Sequence, residues 1–430
     1  MIGKSLLKFA ELIWPINRSI TGKGLRDTLK EIKKILPTLK IYSVKSGTKV
    51  FDWTVPPEWE VKDAYIICPS GNKICDFKEN NLHLVGYSIP INKKLTLDEL
   101  NKHLFSLPKQ PKAIPYITSY YKNFWGFCIS NEERKKLIKG NYHVIIKSKL
   151  FKGQLNYGEL LIKGKSKKEI MLSTYICHPS MGNNEISGPT VLTYLAKWIL
   201  SNHERKYSYR IIFIPETIGS ITYLSLNLNT LKKAVIAGYN ITCVGDNRTY
   251  SYLPSRNGNT LSDKVAKHVL KNTYPKYKKY EWNDRGSDER QYCAPGIDLP
   301  IATIMRSKYG TYPEYHTSLD NLKNVVTEKG LEGGYKAIKL AIETIEKNRN
   351  YLVNMLGEPQ LGKRNLYPHI STSKSKEQVQ LMMDLITWCD GQHSLLDIAE
   401  KIEAPIWSLY EIVKKLEKEK IIKEVKVRYN

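Results

Sequence analysis

The sequence predicts an α/β protein: a mixed-sheet domain with helices on both faces, interrupted by an inserted β-rich domain and followed by a C-terminal winged helix. Three observations carry this. From Tyr142 onward, β-branched runs alternate with helical ones, the order of a layered α/β domain. Residues 51–128 change character and become rich in Trp, Tyr and Pro. Residues 376–430 read helix, Asp-Gly turn, short helix, Pro-bounded turn, long helix and two β-like runs, which is winged-helix order.

A chain of 430 residues exceeds what one hydrophobic core usually supports, so several domains are expected. No run approaches the roughly 18 apolar residues of a membrane span. The start, "MIGKSLLKFAELIWPINRS", is broken by Lys8 and Glu11 before a signal-peptide core could form. The seven cysteines include no C-x-x-C pair and sit mostly in apolar surroundings, as buried thiols of a reducing compartment do. These features predict a soluble, cytoplasmic protein. The net charge of +25 is mostly lysine spread along the chain, without an arginine stripe that would mark a nucleic-acid face.

Taken in order, "GLRDTLKEIKKIL" places Leu25, Leu29, Ile32 and Leu36 at spacings of three and four, a helix that Pro37 closes. "AYIICPSGNKICDF" reads as a hairpin turning at Ser70-Gly71-Asn72. The α/β pattern then runs through "YHVIIKSKL", "GELLIKG", "EIMLSTYIC", a helix over 190–200, "YRIIFIP", a second helix, "AVIAGYNITCVG", a helix near 261–271, "LPIATIM" and a long helix over 321–347. The boundaries this suggests are an α/β domain over 1–50 and 129–355, an inserted domain over 51–128, a Gly-, Pro-, Ser- and Lys-rich linker over 356–375 and the winged helix over 376–430.

Sheets of this kind bind ligands at the carboxyl ends of their strands. Four residues of metal-ligand or acid/base type stand there: His178 after "IMLSTYIC", Glu216 after "RIIFIP", Asp246 after "AGYNITCVG" and His316 in "YPEYHTSLDNL". Each alone reads as a solvated loop residue; four together in one domain point to a site. The loop "NDRGSDERQYCAPGIDLP" gathers Asp284, Arg285, Asp288, Glu289 and Arg290. Alternating acids and arginines suit an amine on one side and an anion on the other. Cys177 beside His178 suggests a nucleophile pair, but adjacent strand residues point to opposite faces, which argues against it.

With "WPINRSITGKGLRDTL", "FDWTVPPEWEVKDAYI", "CHPSMGNNEISGP", "PETIGSITYL", "RGSDERQYCAPGIDLP" and "EYHTSLDNL", the chain resembles the co-catalytic zinc aminopeptidases, and more closely a bacterial aminopeptidase-like family with an inserted domain and a C-terminal winged helix. The resemblance implies that His178 and Asp246 match ligands of a first metal, His316 the histidine of a second, and Glu216 the general base. It also implies a substrate-side role for the loop bearing Arg285, Asp288 and Glu289, and for Arg18 and Ser19 of "NRSITG". Two positions depart from the pattern: Asn184, followed by Glu185, stands where a bridging Asp is expected, and Thr217 where a second metal's Glu is expected.

Two zinc ions bring a charge of about four, which two neutral imidazoles and one carboxylate cannot compensate. The expectation is therefore one zinc per chain on His178, Asp246 and His316, with an open position for water and with Asn184 and Glu185 as further candidates. Glu185 is equally suited to the N-terminus of the helix that follows. The function expected is a zinc-dependent aminopeptidase-like hydrolase acting on a peptide N-terminus, or on an amide or ester of a surface-glycan amino sugar. The competing readings are a metal-poor, catalytically inert binding protein on the same scaffold and a winged-helix DNA-binding regulator. From Glu377 to Asn430 there are eight Lys plus Arg against ten Asp plus Glu, a poor phosphate-binding balance. A protein partner or homo-oligomer contact through the winged helix is expected rather than nucleic acid.

Overall fold

The computed structural model describes residues 2–366 and 373–425. The chain divides into two compact units, Met1–Asp263 with Lys276–Lys336, and Lys264–Pro275 with Ala337–Asn430.

The first unit is built on an eight-stranded sheet in the spatial order Lys40–Lys45, Gln154–Ile162, Ser208–Ile214, Glu169–Tyr175, Val235–Asn240, Ile301–Met305, Ser251–Leu253 and Lys278–Lys279. Its middle four strands, from Ser208–Ile214 to Ile301–Met305, run parallel, and antiparallel pairs flank them on both sides. "EIMLSTY" is buried from Ile170 to Tyr175; such an unbroken run suits a strand covered on both faces. The helix Lys23–Ile35 buries Leu25, Leu29 and Ile32, the face its periodicity marks out. The helix Ser187–Ser201 lies close enough to the sheet that a Cβ on Gly188 would stand 2.4 Å from the Thr174 hydroxyl and 2.6 Å from the Ile241 carbonyl. Glycine is what permits that approach.

A smaller antiparallel sheet, in the order Lys73–Ile74, Glu58–Ile67, Asn141–Phe151 and Ile91–Thr96, forms the inserted module. The hairpin at 70–72 is present, with Ile66 opposite Ile74 and Gly71 at φ +85°. Because Asn141–Phe151 pairs with two inserted strands, it lies with them, beyond the boundary that composition suggested at 128. The long C-terminal helix begins at Glu328 rather than 321. The Asn321 side chain accepts hydrogen bonds from the Lys323 and Asn324 amides, so this stretch is a side-chain-stabilised turn.

The second unit carries helices Ser373–Thr387, Leu395–Lys401 and Ile406–Lys418 with a three-stranded sheet, Asp390–Ser394, Asn350–Val353 and Ile422–Val425. The strand Asn350–Val353 sits between the other two. The winged unit therefore starts before the linker, and the boundary drawn at 355 falls behind its central strand. The second of the two expected β-like runs, and part of the linker, lie outside the described residues. Among the described residues no helix is long and apolar enough to cross a membrane.

Candidate functional site

The central strand ends at Tyr175 and the chain leaves it through Cys177, His178 and Pro179. A π-helical turn, Gly182–Ile186, then leads into the helix Ser187–Ser201, a local irregularity of a kind concentrated at functional sites. Asp320 holds this turn from outside. Its two carboxylate oxygens accept the Asn183 and Asn184 amides at 2.7 and 3.0 Å, and the Tyr312 hydroxyl adds a bond of 2.8 Å. Burial pushes the Asp320 carboxyl up to about 6 in spite of those donors.

Glu185 turns inward. One oxygen accepts from His178 Nδ1 at 2.9 Å and the other lies 3.3 Å from Arg18 Nε. Arg18, only 1% exposed, also donates to the His178 carbonyl at 3.0 Å and to the Ile13 carbonyl at 2.7 Å. Burial works against the imidazolium of His178, but contacts with Cys177 and Glu185 outweigh it and hold the ring well above its ordinary value. Burial also pushes the Cys177 thiol up to about 11. Cys177 Sγ lies 3.4 Å from His178 Nδ1. The opposite-face expectation for this pair fails because strand alternation stops at Tyr175, two residues earlier.

Glu216 follows the neighbouring strand Ser208–Ile214. Its amide donates to Cys177 Sγ at 3.2 Å, its Oε1 accepts from the Ser287 hydroxyl at 2.8 Å, and its Oε2 stands 3.7 Å from His178 Nε2. Burial raises its pKa, with His178 opposing. Thr217 adopts φ +62°, a costly conformation for a β-branched residue. It is over-determined by its backbone N–H, which donates to Asp288 Oδ1 at 2.8 Å, and by Arg290, which donates to Oγ1 at 2.7 Å. Asp288 is fully buried and pushed up to about 8 by burial and by Glu216.

Glu216, His178 and His316 line a pocket of about 360 Å³ together with Trp53, Tyr116, Tyr120, Tyr121, Thr217 and Arg290. The His178 and His316 rings are 5.7 Å apart; burial and the His178 charge pull His316 down to about 3, so it is neutral. Of the expected substrate residues, Asp288 and Glu289 shape the loop instead. Glu289 accepts from the Gly286 and Ser287 amides, the Tyr309 hydroxyl and Asn240. Arg285 packs over Trp282 in solvent, and Arg18 stands behind His178. Arg290 of the same charged loop, outside that expected set, reaches the pocket.

The expected zinc triad is not assembled. Both Asp246 oxygens are occupied by four donors: Asn183 Nδ2 (3.0 Å), the Ser307 amide (2.7 Å), the Ser307 hydroxyl (3.0 Å) and the Arg248 amide (2.8 Å). The Asn184 side-chain oxygen accepts from the Tyr175 hydroxyl at 2.9 Å. Among the described residues, Cys177, His178 and Glu185 are the only three metal-type side chains whose ligand atoms lie within 4.8 Å of one another. They do not fit zinc either. The His178–Glu185 separation of 2.9 Å is that of a hydrogen bond, and the buried Arg18 already supplies a cation to the same carboxylate.

The family model described as "Domain of unknown function (DUF4910)" matches residues 7–348, and a winged helix-turn-helix model matches 349–424. The chain belongs to the DUF4910 family. A Clostridium acetobutylicum relative, provisionally named a polysaccharide biosynthesis protein with aminopeptidase-like domain, is 46% identical over 401 residues, covering 93% of this chain and 91% of that one. The crystal structure of a protein from the same organism, provisionally called a peptidase, is 43% identical with a TM-score of 0.93, covering 99% of this chain and 97% of the other. At the level of fold alone, the Bacillus subtilis zinc aminopeptidase BSAP superposes with a TM-score of 0.56 at 13% identity, over 80% of this chain and 94% of its own. The scaffold of this family member is thus aminopeptidase-like.

Proposed function

We propose that this protein is a hydrolase on an aminopeptidase scaffold in which the Glu216–His178 pair, rather than zinc, faces the bond to be cut. The observation that carries this is the 3.7 Å approach of Glu216 Oε2 to His178 Nε2 at the pocket, with Ser287 fixing the far side of the first group and Glu185 the far side of the second. A base must be in reach and its pKa near the working pH; burial moves Glu216 that way.

The substrate class is an amide or ester. Glu216 Oε2 takes a proton from water as the water oxygen bonds to the carbonyl carbon. The His178 Nε2–H hydrogen-bonds the carbonyl oxygen as negative charge gathers there, a fixed donor aimed at developing charge. The C–N or C–O bond then breaks, and Glu216 returns the proton to the departing amine or alcohol. The polysaccharide-biosynthesis name of the Clostridium relative supports a sugar-borne amide.

The inert binding-protein reading is favoured by one observation: Thr217, in the position expected for a ligand acid, is tied to Arg290 and Asp288. Chelator-treated protein assayed on aminoacyl anilides and on N- and O-acetylated amino sugars separates the two. Turnover without metal, lost by roughly a hundredfold or more in Glu216→Gln, supports the hydrolase. Turnover that appears only with added zinc overturns the metal-free mechanism, and none on any substrate favours the inert reading.

A further inference from the structure

Two aromatic side chains at the pocket are left substantially exposed. Trp53 is 40% and Tyr121 53% exposed, and their rings meet edge to face with centroids 6.0 Å apart. Both come from the inserted module. Tyr121 is held at φ +63°, an unfavourable backbone for a bulky residue, and its hydroxyl donates to the Thr54 carbonyl beside Trp53 at 2.9 Å. The strain and the hydrogen bond together fix a wall of aromatic surface where a folding core gains nothing from it.

The polar groups of the pocket have a sign. Arg290 brings a guanidinium to the pocket, and Glu216 is the one carboxylate lining it. One Glu216 oxygen is taken by Ser287 and the other faces His178. A free α-ammonium would meet the Arg290 guanidinium and no uncommitted carboxylate, so a peptide N-terminus fits poorly. An anion would find Arg290, whose guanidinium is steadied by Thr217 Oγ1 at 2.7 Å and suits carboxylate or phosphate.

We propose that the pocket binds an acylated sugar bearing a negative charge, its ring against Trp53 and Tyr121, its anionic group on Arg290 and its acyl group between His178 and Glu216. A pyranose ring offers polarised C–H bonds on its face and hydroxyls at its edge. It can cover the electron-rich face of an aromatic ring while keeping its edge in water, which a half-exposed wall allows and a closed apolar pocket does not. The choice of acyl group as the reacting part rests on the hydrolase reading above; the binding of the sugar does not.

Calorimetric or tryptophan-fluorescence titration of the full chain tests it with N-acetylmuramic acid, N-acetylglucosamine 6-phosphate, neutral N-acetylglucosamine and the tripeptide Leu-Gly-Gly. At least one anionic sugar is expected to bind about tenfold or more tightly than N-acetylglucosamine, the two acids distinguishing carboxylate from phosphate. Arg290→Gln should remove that preference. Trp53→Leu and Tyr121→Ala, both at exposed positions and so compatible with folding, should each weaken every sugar by about tenfold. Tighter binding of the tripeptide, no sugar binding, or indifference to both aromatic substitutions would overturn the proposal. Because Glu216→Gln should still bind the sugar, binding without turnover removes the hydrolase reading and leaves this one standing.

Discussion

Arg18 and Glu185 form an ion pair of 3.3 Å closed off from solvent, with 1% and 0% of their side chains exposed. The same carboxylate holds His178 at 2.9 Å. A cation that belongs to the chain itself therefore balances the carboxylate bonded to His178. Breaking such a pair by removing one partner leaves a buried charge uncompensated, at a cost of about 3–5 kcal/mol, whereas removing both can be nearly neutral. Arg18→Gln should lower the urea midpoint accordingly, and the double change Arg18→Gln with Glu185→Gln should recover most of the loss. Additive losses in the double mutant would mean that the two side chains do not act as a pair.

Asp288 should give the protein a distinct pH dependence. Its carboxyl is buried, one oxygen has no hydrogen-bond partner, and its pKa is pushed up to about 8 from 3.8, first by burial and then by Glu216. The folded state thus binds this proton more tightly than the unfolded chain. The contribution is fully present below the unfolded value and is lost as pH rises through about 8. Asp288→Asn, neutral throughout, should not suffer that loss, so the melting temperature of the variant relative to wild type should climb between about pH 5 and about pH 9. Parallel pH curves for the two proteins would contradict it.

The parts of the fold legible in the sequence are those fixed by local periodicity. The run "IMLSTY" could be read as a buried strand, and Leu25, Leu29 and Ile32 as a helix face, without knowing their neighbours. The strand "NYLV" at Asn350–Val353 could not, because it is four residues long and its partners begin 40 and 72 residues later, at Asp390 and Ile422. The site divides the same way. His178 and Glu216 were visible as polar residues at strand ends, and both reach the pocket. That Asp246 is saturated by Asn183 and Ser307, or that Arg18 lies against a carboxylate far along the chain, depends on tertiary contacts that no spacing announces.

His268 in the second unit is a buried link between side chain and helix. Its Nδ1 is bonded to Glu400 Oε1, and its Nε2 accepts from the Ile406 amide at 2.9 Å, at the start of the helix Ile406–Lys418. Replacing it by Leu strands a buried amide, which costs about 1–3 kcal/mol, and should lower the melting temperature of the full chain. Burial depresses the pKa of His268, with Glu400 opposing. Its contribution is therefore present above the unfolded value near 6.5 and lost as pH falls through the depressed one. The stability gap between wild type and His268→Leu should accordingly narrow on acidification; a gap that widens would contradict the assigned hydrogen bonds.

Arg18, Glu185 and His178 stand together where the proposed mechanism uses no resident zinc. Calorimetric titration of zinc into chelator-stripped, full-length protein, with elemental analysis of the protein before stripping, tests it directly. No stoichiometric zinc is expected in either measurement, and the melting temperature should be unmoved by chelator. One or two tightly held zinc ions per chain, lost in His178→Ala or His316→Ala, would contradict it and return the site to the metal chemistry of the aminopeptidases whose fold it shares.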